Sequence, residues 1–198
     1  MKKIILNLIL ILSLSTITFA QEATVQDIIR QSAVSIFSVG SGAGICSGVL
    51  IENTKILTAK HCIDTFEEVY VENISVKTII ASVDDDLAIL VLSKPIPNKV
   101  VTKLAKYNSI IGDNVYHIGY PRFSEYYSEG IVNLKTKDHY YAILDIIPGC
   151  SGGGVWNDKG DLVGIAWGGM SLGGMFSSKT LAVFEPIEDV YRFLRSIK

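Results

Sequence analysis

The sequence predicts an all-β protein made of two six-stranded antiparallel β-barrels and closed by a C-terminal helix. Two series of about six short β-rich runs, separated by turn residues, lead to this prediction, because such runs are typical of barrels. A proline-containing break at 95–98 and a looser segment to Ile111 divide the two series. Near the chain end the spacing of apolar residues changes from strand-like to helical.

The first twenty residues are predicted to be a secretory signal peptide rather than part of the fold. Lys2 and Lys3 precede an apolar run over 4–14, and residues 18–20 form a small-x-small cleavage signal. A retained membrane anchor is the alternative, but the run is short for a spanning helix. Cleavage after Ala20 would leave residues 21–198 as one exported domain, in a periplasm or outside the cell.

Each barrel is assigned its own run of strands. The N-terminal barrel is predicted over about 33–106, after a short helix over 25–33, and the C-terminal barrel over about 112–184. Asn157–Gly160 predicts a hairpin turn in the second barrel. Pro186, early acidic residues and a late arginine predict the closing helix over 186–197. The predicted strands are 34–39, 45–51, 55–59, 69–71, 75–83 and 86–92, then 114–118, 128–134, 140–146, 153–156, 161–167 and 181–184.

Charge and composition narrow the class of partner. The 198-residue chain carries 18 Lys and Arg against 20 Asp and Glu, and the predicted mature part has a formal charge of about −4. It has no basic block for nucleic acid and no cationic amphipathic helix for a membrane surface. The expected partner is therefore a protein or peptide substrate, without stable membrane insertion after signal cleavage.

The motif GCSGGGV at 149–155 places one serine among glycines. A serine on such a turn can present its Oγ outward, while the backbone N–H groups of Gly149 and Ser151 point the same way as an oxyanion hole. A plain glycine-rich turn is the alternative. A serine hydroxyl also needs an adjacent base, usually a histidine held by a third group.

Three histidines are candidates for that base. His61 ends an apolar strand in LTAKHC and is preferred, because a strand end reaches into a cleft. His117 is expected to pack within a strand, and His139 to be exposed in a polar turn. Of three adjacent aspartates, Asp86 directly precedes the apolar run LAILVL and is expected to orient His61, although a one-residue shift would exchange it with Asp85.

These segments resemble the trypsin-like serine proteases. LTAKHC is similar to the family's TAAHC signature, DLAIL to its buried-aspartate strand, and GCSGGGV to its G-x-S-G-G loop, in the family's order. Within the family, GDNVYHIGYP, SEGIV and IPGCSGG resemble the bacterial HtrA/Deg-type branch. The resemblance covers residues 28–198 and implies a catalytic triad of His61, Asp86 and Ser151.

The resemblance also implies further features and shows departures. It implies a disulfide between Cys46 and Cys62, which leaves Cys150 as an inert packing residue, a redox-sensitive or intermolecular thiol or, in principle, the nucleophile. Cys150 replaces the aspartate that activates animal trypsins. We expect no PDZ domain of the kind that HtrA-type proteins usually add, because the sequence ends at Lys198.

Substrate binding is predicted at three positions. By resemblance to trypsin, Asp145, six residues before Ser151, is expected at the base of the pocket that binds Lys or Arg, although the strand alternation leaves its direction open. Trp167 and Gly168 resemble the pocket wall whose backbone pairs with an extended substrate.

The sequence therefore predicts an exported serine endopeptidase that hydrolyses peptide bonds through an acyl-enzyme. If Asp145 lies on the floor of the specificity pocket, cleavage after Lys or Arg is expected. No metal or cofactor is predicted, because no cysteine–histidine cluster has zinc spacing. The alternatives are a protease-fold binding or chaperone protein whose triad is not assembled, and an acyl-transfer enzyme that uses the same triad.

Overall fold

The computed structural model describes residues 23–40, 42–64, 66–137, 139–171 and 180–198. The predicted signal peptide at 1–20 lies outside these residues. Among the helices that the structure describes, none has the length and apolar character that crossing a membrane requires.

The N-terminal barrel is closed and antiparallel. Its strands follow the order β1-β2-β3-β6-β5-β4, and pairing of β1 with β4 closes it. Most of the predicted strand bounds agree to within about three residues. The strands are β1 (Ala33–Gly40), β2 (Ala43–Glu52), β3 (Lys55–Thr58), β4 (Phe66–Val71), β5 (Ile74–Ala81) and β6 (Ala88–Leu92).

The C-terminal barrel has six antiparallel strands in the order β11-β8-β9-β10-β13-β12, closed by pairing of β11 with β12. A short strand that the sequence did not indicate, β7 (Lys103–Leu104), adds to β12 in parallel. The predicted fold class is therefore confirmed. The barrel strands are β8 (Asn114–Gly119), β9 (Tyr126–Lys135), β10 (Tyr140–Ile143), β11 (Gly154–Trp156), β12 (Asp161–Ser171) and β13 (Thr180–Pro186).

Two helices flank the barrels. α1 (Val25–Arg30) begins with a capping box between Thr24 and Asp27. It ends before the predicted Ala33, because Ala33 is fully buried and starts β1 instead. α2 (Ile187–Ser196) has two acidic residues in its first turn. Their negative charges stabilise the helix, because they lie near the positive end of its dipole.

Three apolar cores explain why both faces of several strands are buried. Along the β6 segment, Ala88 and Leu90 point into the N-terminal barrel, whereas Leu87 and Ile89 pack in a second core with Trp156. That second core also contains residues of both helices, and a third fills the C-terminal barrel. Since successive strand residues face opposite sides, one side fills a barrel and the other forms the seam between barrels.

Candidate active site

His61 and Asp86 lie at adjacent strand ends of the N-terminal barrel. His61 is in the 3-10 turn Lys60–Cys62 that follows β3, and Asp86 lies two residues before β6. Thr58 of β3 pairs with Ala88 of β6, so the end of one strand meets the start of the other. The Asp86 carboxylate accepts the His61 backbone N–H at 2.8 Å, and its other oxygen lies 2.6 Å from ring Nδ1.

This pairing raises the pKa of His61. The hydrogen bond to Asp86 is the largest cause, the charges of Asp86 and Asp64 add to it, and burial opposes it. A proton on Nδ1 that faces Asp86 leaves Nε2 as the ring's proton acceptor. The His61 side chain is 42% exposed against 18% for Asp86, so the imidazole faces solvent and the carboxylate is mostly covered.

Ser151 comes from the loop before β11 and approaches the same seam. Its Oγ donates to the backbone carbonyl of Trp167 at 3.3 Å. The Trp167 ring in turn lies edge-on to the His61 ring, with centroids 6.5 Å apart. Within the described ranges, no hydrogen bond joins Ser151 to His61, so the structure pairs histidine with aspartate and leaves the serine nearby.

The loop that carries Ser151, residues 149–153, has five backbone N–H groups. Those of Gly149 and Ser151 lack an acceptor among the described residues. The other three N–H groups are used, because Cys150 donates to Ile147, Gly152 to Ala166 and Gly153 to Cys150. Gly149 has a φ of +102°, and a Cβ there would lie 2.7 Å from the Cα of Pro121. Only glycine fits this turn without strain.

The three cysteines form one disulfide and leave one free thiol, as the family resemblance implies. Cys46 of β2 and Cys62 form a disulfide, which ties β2 to the turn that carries His61. Cys150 is a free, fully buried thiol, and burial raises its pKa to about 11. A buried neutral thiol is a poor nucleophile, which favours the packing role for Cys150.

The other two histidines have different surroundings. His117 is fully buried and its Nδ1 lies 2.8 Å from the Gly154 carbonyl; burial lowers its pKa to about 4, so it is a neutral core residue. His139, expected to be exposed, is instead half-buried. Its ring stacks on Trp167 at 5.9 Å, which covers one face of the imidazole.

Beside Asp86 and Trp167 opens a cleft of about 680 Å³ with an acidic lining. Three of its carboxylates, those of Asp85, Glu185 and Asp189, have oxygens within 4.8 Å of one another and are the described residues best placed to hold a cation. Arg192 already pairs with Asp85 and Asp189, so a guanidinium supplies positive charge there. No sequence motif indicated this cluster, because its members come from distant segments.

Glu185 is the most perturbed acid of this cleft. It is 3% exposed, and burial followed by the charges of Asp189, Asp85 and Asp86 raises its pKa to about 7. The folded protein therefore binds a proton at Glu185 more tightly than the unfolded chain does, so this residue costs stability as the pH rises from about 4.5 to about 7.

Glu185→Gln should remove that cost. We expect the free energy of unfolding of the variant, relative to the wild type, to increase by on the order of 2 kcal/mol between pH 4.5 and pH 8, and to change little above that. Urea unfolding of both proteins across this range measures it. A difference that is the same at every pH would contradict the raised pKa.

The predicted substrate residues lie in open positions. Gly168 has no atom within 4 Å of where a Cβ would be, and Trp167 is 42% exposed at a register shift between β12 and β13. Asp145 is exposed after the end of β10. Its charge helps burial to raise the pKa of Tyr126, so the two side chains are neighbours. Residues 172–179, which follow β12, lie outside the described residues.

A double barrel with a histidine–aspartate pair and a glycine-flanked serine at its seam defines the class of trypsin-like serine endopeptidases. The sequence profile of the family described as "Trypsin-like peptidase domain" matches residues 46–165, more than half of the chain. The chain belongs to this family of peptidases. No curated protein sequence matches it significantly.

Solved structures with low sequence identity share the fold. The inactive form of the Rv3671c protease of M. tuberculosis has a TM-score of 0.72 at 19% identity, over 87% of this chain and 92% of that one. Its active form gives 0.71 at 20% identity, over 86% and 82%. The serine endoprotease from Yersinia pestis gives 0.74 at 22% identity, over 88% of this chain and 66% of that one.

Proposed function

We propose that this protein is an exported serine endopeptidase in which Ser151 is the nucleophile, His61 the general base and Asp86 the residue that orients His61. The observation that carries the proposal is the 2.6 Å contact between His61 Nδ1 and Asp86. It is made beside a loop with two N–H groups that have no acceptor in the part of the chain that the structure describes. This combination supplies both proton transfer and oxyanion stabilisation.

The reaction follows from these roles. Nε2 of His61 takes the proton of Ser151 while Oγ attacks the scissile carbonyl, and the N–H groups of Gly149 and Ser151 stabilise the oxyanion. The imidazolium, stabilised by Asp86, then protonates the leaving amine. Water hydrolyses the acyl-enzyme by the same steps, with His61 again as base.

The hydrogen bond from Ser151 to the Trp167 carbonyl must break before attack. Rotation about the Cα–Cβ bond of the serine releases it and redirects Oγ, at the cost of one hydrogen bond of 3.3 Å. Catalytic hydrogen bonds are often incomplete without substrate. An extended peptide that pairs with β12 at Gly168 would also compete for backbone groups there and favour the rotation.

We further propose cleavage after Lys or Arg, with Asp145 as the acidic group. Its exposure and its position six residues before Ser151 support this. Trp167 and Gly168 would line the path of the substrate backbone.

We also propose that residues 1–20 are a signal peptide and that 21–198 form the exported protease domain. The Cys46–Cys62 disulfide supports export, because disulfides persist in oxidising compartments.

A peptide-library digest read by mass spectrometry tests the proposed function. We expect new peptide termini from the wild type and none from Ser151→Ala, with Lys or Arg before most cuts. Asp145→Asn should lose that preference and keep cleavage. No new termini from a folded wild type would favour a binding or chaperone protein, and transfer of acyl groups without peptide cleavage would favour another acyl-transfer enzyme.

A further inference from the structure

Ser47 in β2 of the N-terminal barrel forms hydrogen bonds to the loop at residues 149–153 of the C-terminal barrel, called here the nucleophile loop. Its side chain is fully buried, and its Oγ donates to the Gly149 carbonyl at 2.8 Å. The same Oγ accepts the backbone N–H of Tyr120 at 2.8 Å. Its backbone N–H donates to the Ser151 carbonyl, also at 2.8 Å. Ser47 therefore binds the carbonyls of both Gly149 and Ser151, the two loop residues whose N–H groups have no acceptor within the described ranges.

These bonds restrict a turn that glycine leaves free. Gly149 has no Cβ, so its own dihedral preferences do not select the conformation at φ +102°. The Gly149–Cys150 peptide is instead fixed from both ends, because Ser47 binds its carbonyl and its N–H donates to Ile147. Without the hydroxyl, this peptide would be held at one end only. The dihedral angles of Gly149, which set the direction of its own N–H in the preceding peptide, would then be less restricted.

Ser47 is also tied to the segment that carries His61. The Thr58 hydroxyl donates to the Ser47 carbonyl at 2.7 Å. Cys46, which precedes Ser47, forms a disulfide with Cys62, and Cys62 directly follows His61 in the chain. The position of the nucleophile loop relative to the base therefore depends on a short set of contacts centred on Ser47.

We propose that Ser47 is a positioning residue for catalysis, which aligns the Gly149 and Ser151 N–H groups with the developing oxyanion. The inference rests on the proposed function. An alanine would fill nearly the same buried space, so packing alone does not require a hydroxyl here. The hydroxyl is the partner of one backbone donor, the Tyr120 N–H, and one backbone acceptor, the Gly149 carbonyl.

The test compares Ser47→Ala with Ser32→Ala in the full mature chain. Ser32 is 3% exposed and donates to the Ile29 carbonyl, so this control also loses a buried hydroxyl, but at α1. We expect kcat of Ser47→Ala to fall about 10- to 100-fold with KM changed less than about threefold, since losing one oxyanion donor outright costs about 10²–10³. Affinity for a peptide boronate, which mimics the tetrahedral state, should fall in parallel.

Ser32→Ala should keep kcat within about twofold, even where both variants lose thermal stability. A kcat of Ser47→Ala within twofold of the wild type, or a loss confined to KM, would overturn the inference. If Ser47→Ala does not fold, Thr58→Val decides, because it removes the hydroxyl that holds Ser47; an unchanged kcat there would overturn the inference as well. An inactive wild type would instead refute the proposed function itself.

Discussion

Ser151→Ala should abolish peptide hydrolysis while the protein stays folded. Alanine lacks the Oγ atom that forms the acyl-enzyme. Neither His61 nor Asp86 acts as a nucleophile in the proposed mechanism, so neither can replace it. We expect kcat to fall by on the order of 10⁶, with a residual rate of about 10³–10⁴ over water from binding and oxyanion stabilisation. Steady-state kinetics on a peptide found in the library digest measure this.

Cys150→Ala is the matched control for this variant, because Cys150 is the adjacent residue and carries a thiol. The control should retain kcat within a few-fold, although the loss of a buried side chain lowers its stability. If Ser151→Ala kept substantial activity and Cys150→Ala lost it, the thiol would be the nucleophile and the assignment of Ser151 would be wrong.

Asp86→Asn should have the second largest effect. Asparagine can still accept the His61 backbone N–H, but its NH₂ group would face ring Nδ1 and favour the tautomer with the proton on Nε2. His61 could then no longer accept the Ser151 proton, and we expect kcat to fall by about 10⁴. Asp84→Asn, an exposed neighbour, should leave kcat unchanged.

The pH profile gives this prediction a second readout. His61 must be neutral to act as a base, so wild-type kcat/KM should rise with pH through the raised pKa of His61, above its usual value of about 6.5. Asp86 is the main cause of that shift, and its loss lowers the pKa of His61. The acid limb of Asp86→Asn should therefore lie at lower pH, and an unchanged limb would contradict the proposed pairing.

What the sequence predicted well depends on local pattern. The glycines around Ser151 and the apolar runs before His61 and after Asp86 are local features, and each determines a turn or a strand end. The two strand series predicted both barrels for the same reason, since turn residues and alternating burial act over a few residues.

What the sequence did not indicate depends on contacts between distant segments. β7 has only two residues and forms because β12 lies beside it. Ser47 lies 102 positions from Gly149, and no local pattern distinguishes it from other strand serines. His139 was expected to be exposed because its neighbours are polar, yet Trp167 folds over it from β12.

The central claim is that His61 and Asp86 make the Ser151 hydroxyl reactive, and covalent labelling with a fluorophosphonate probe tests it most directly. We expect the folded wild type to be labelled at Ser151, as mapped by mass spectrometry, and His61→Ala to be labelled at least about 10³-fold more slowly. Labelling of the folded wild type no faster than that of the urea-unfolded chain, or labelling at another residue, would contradict the claim.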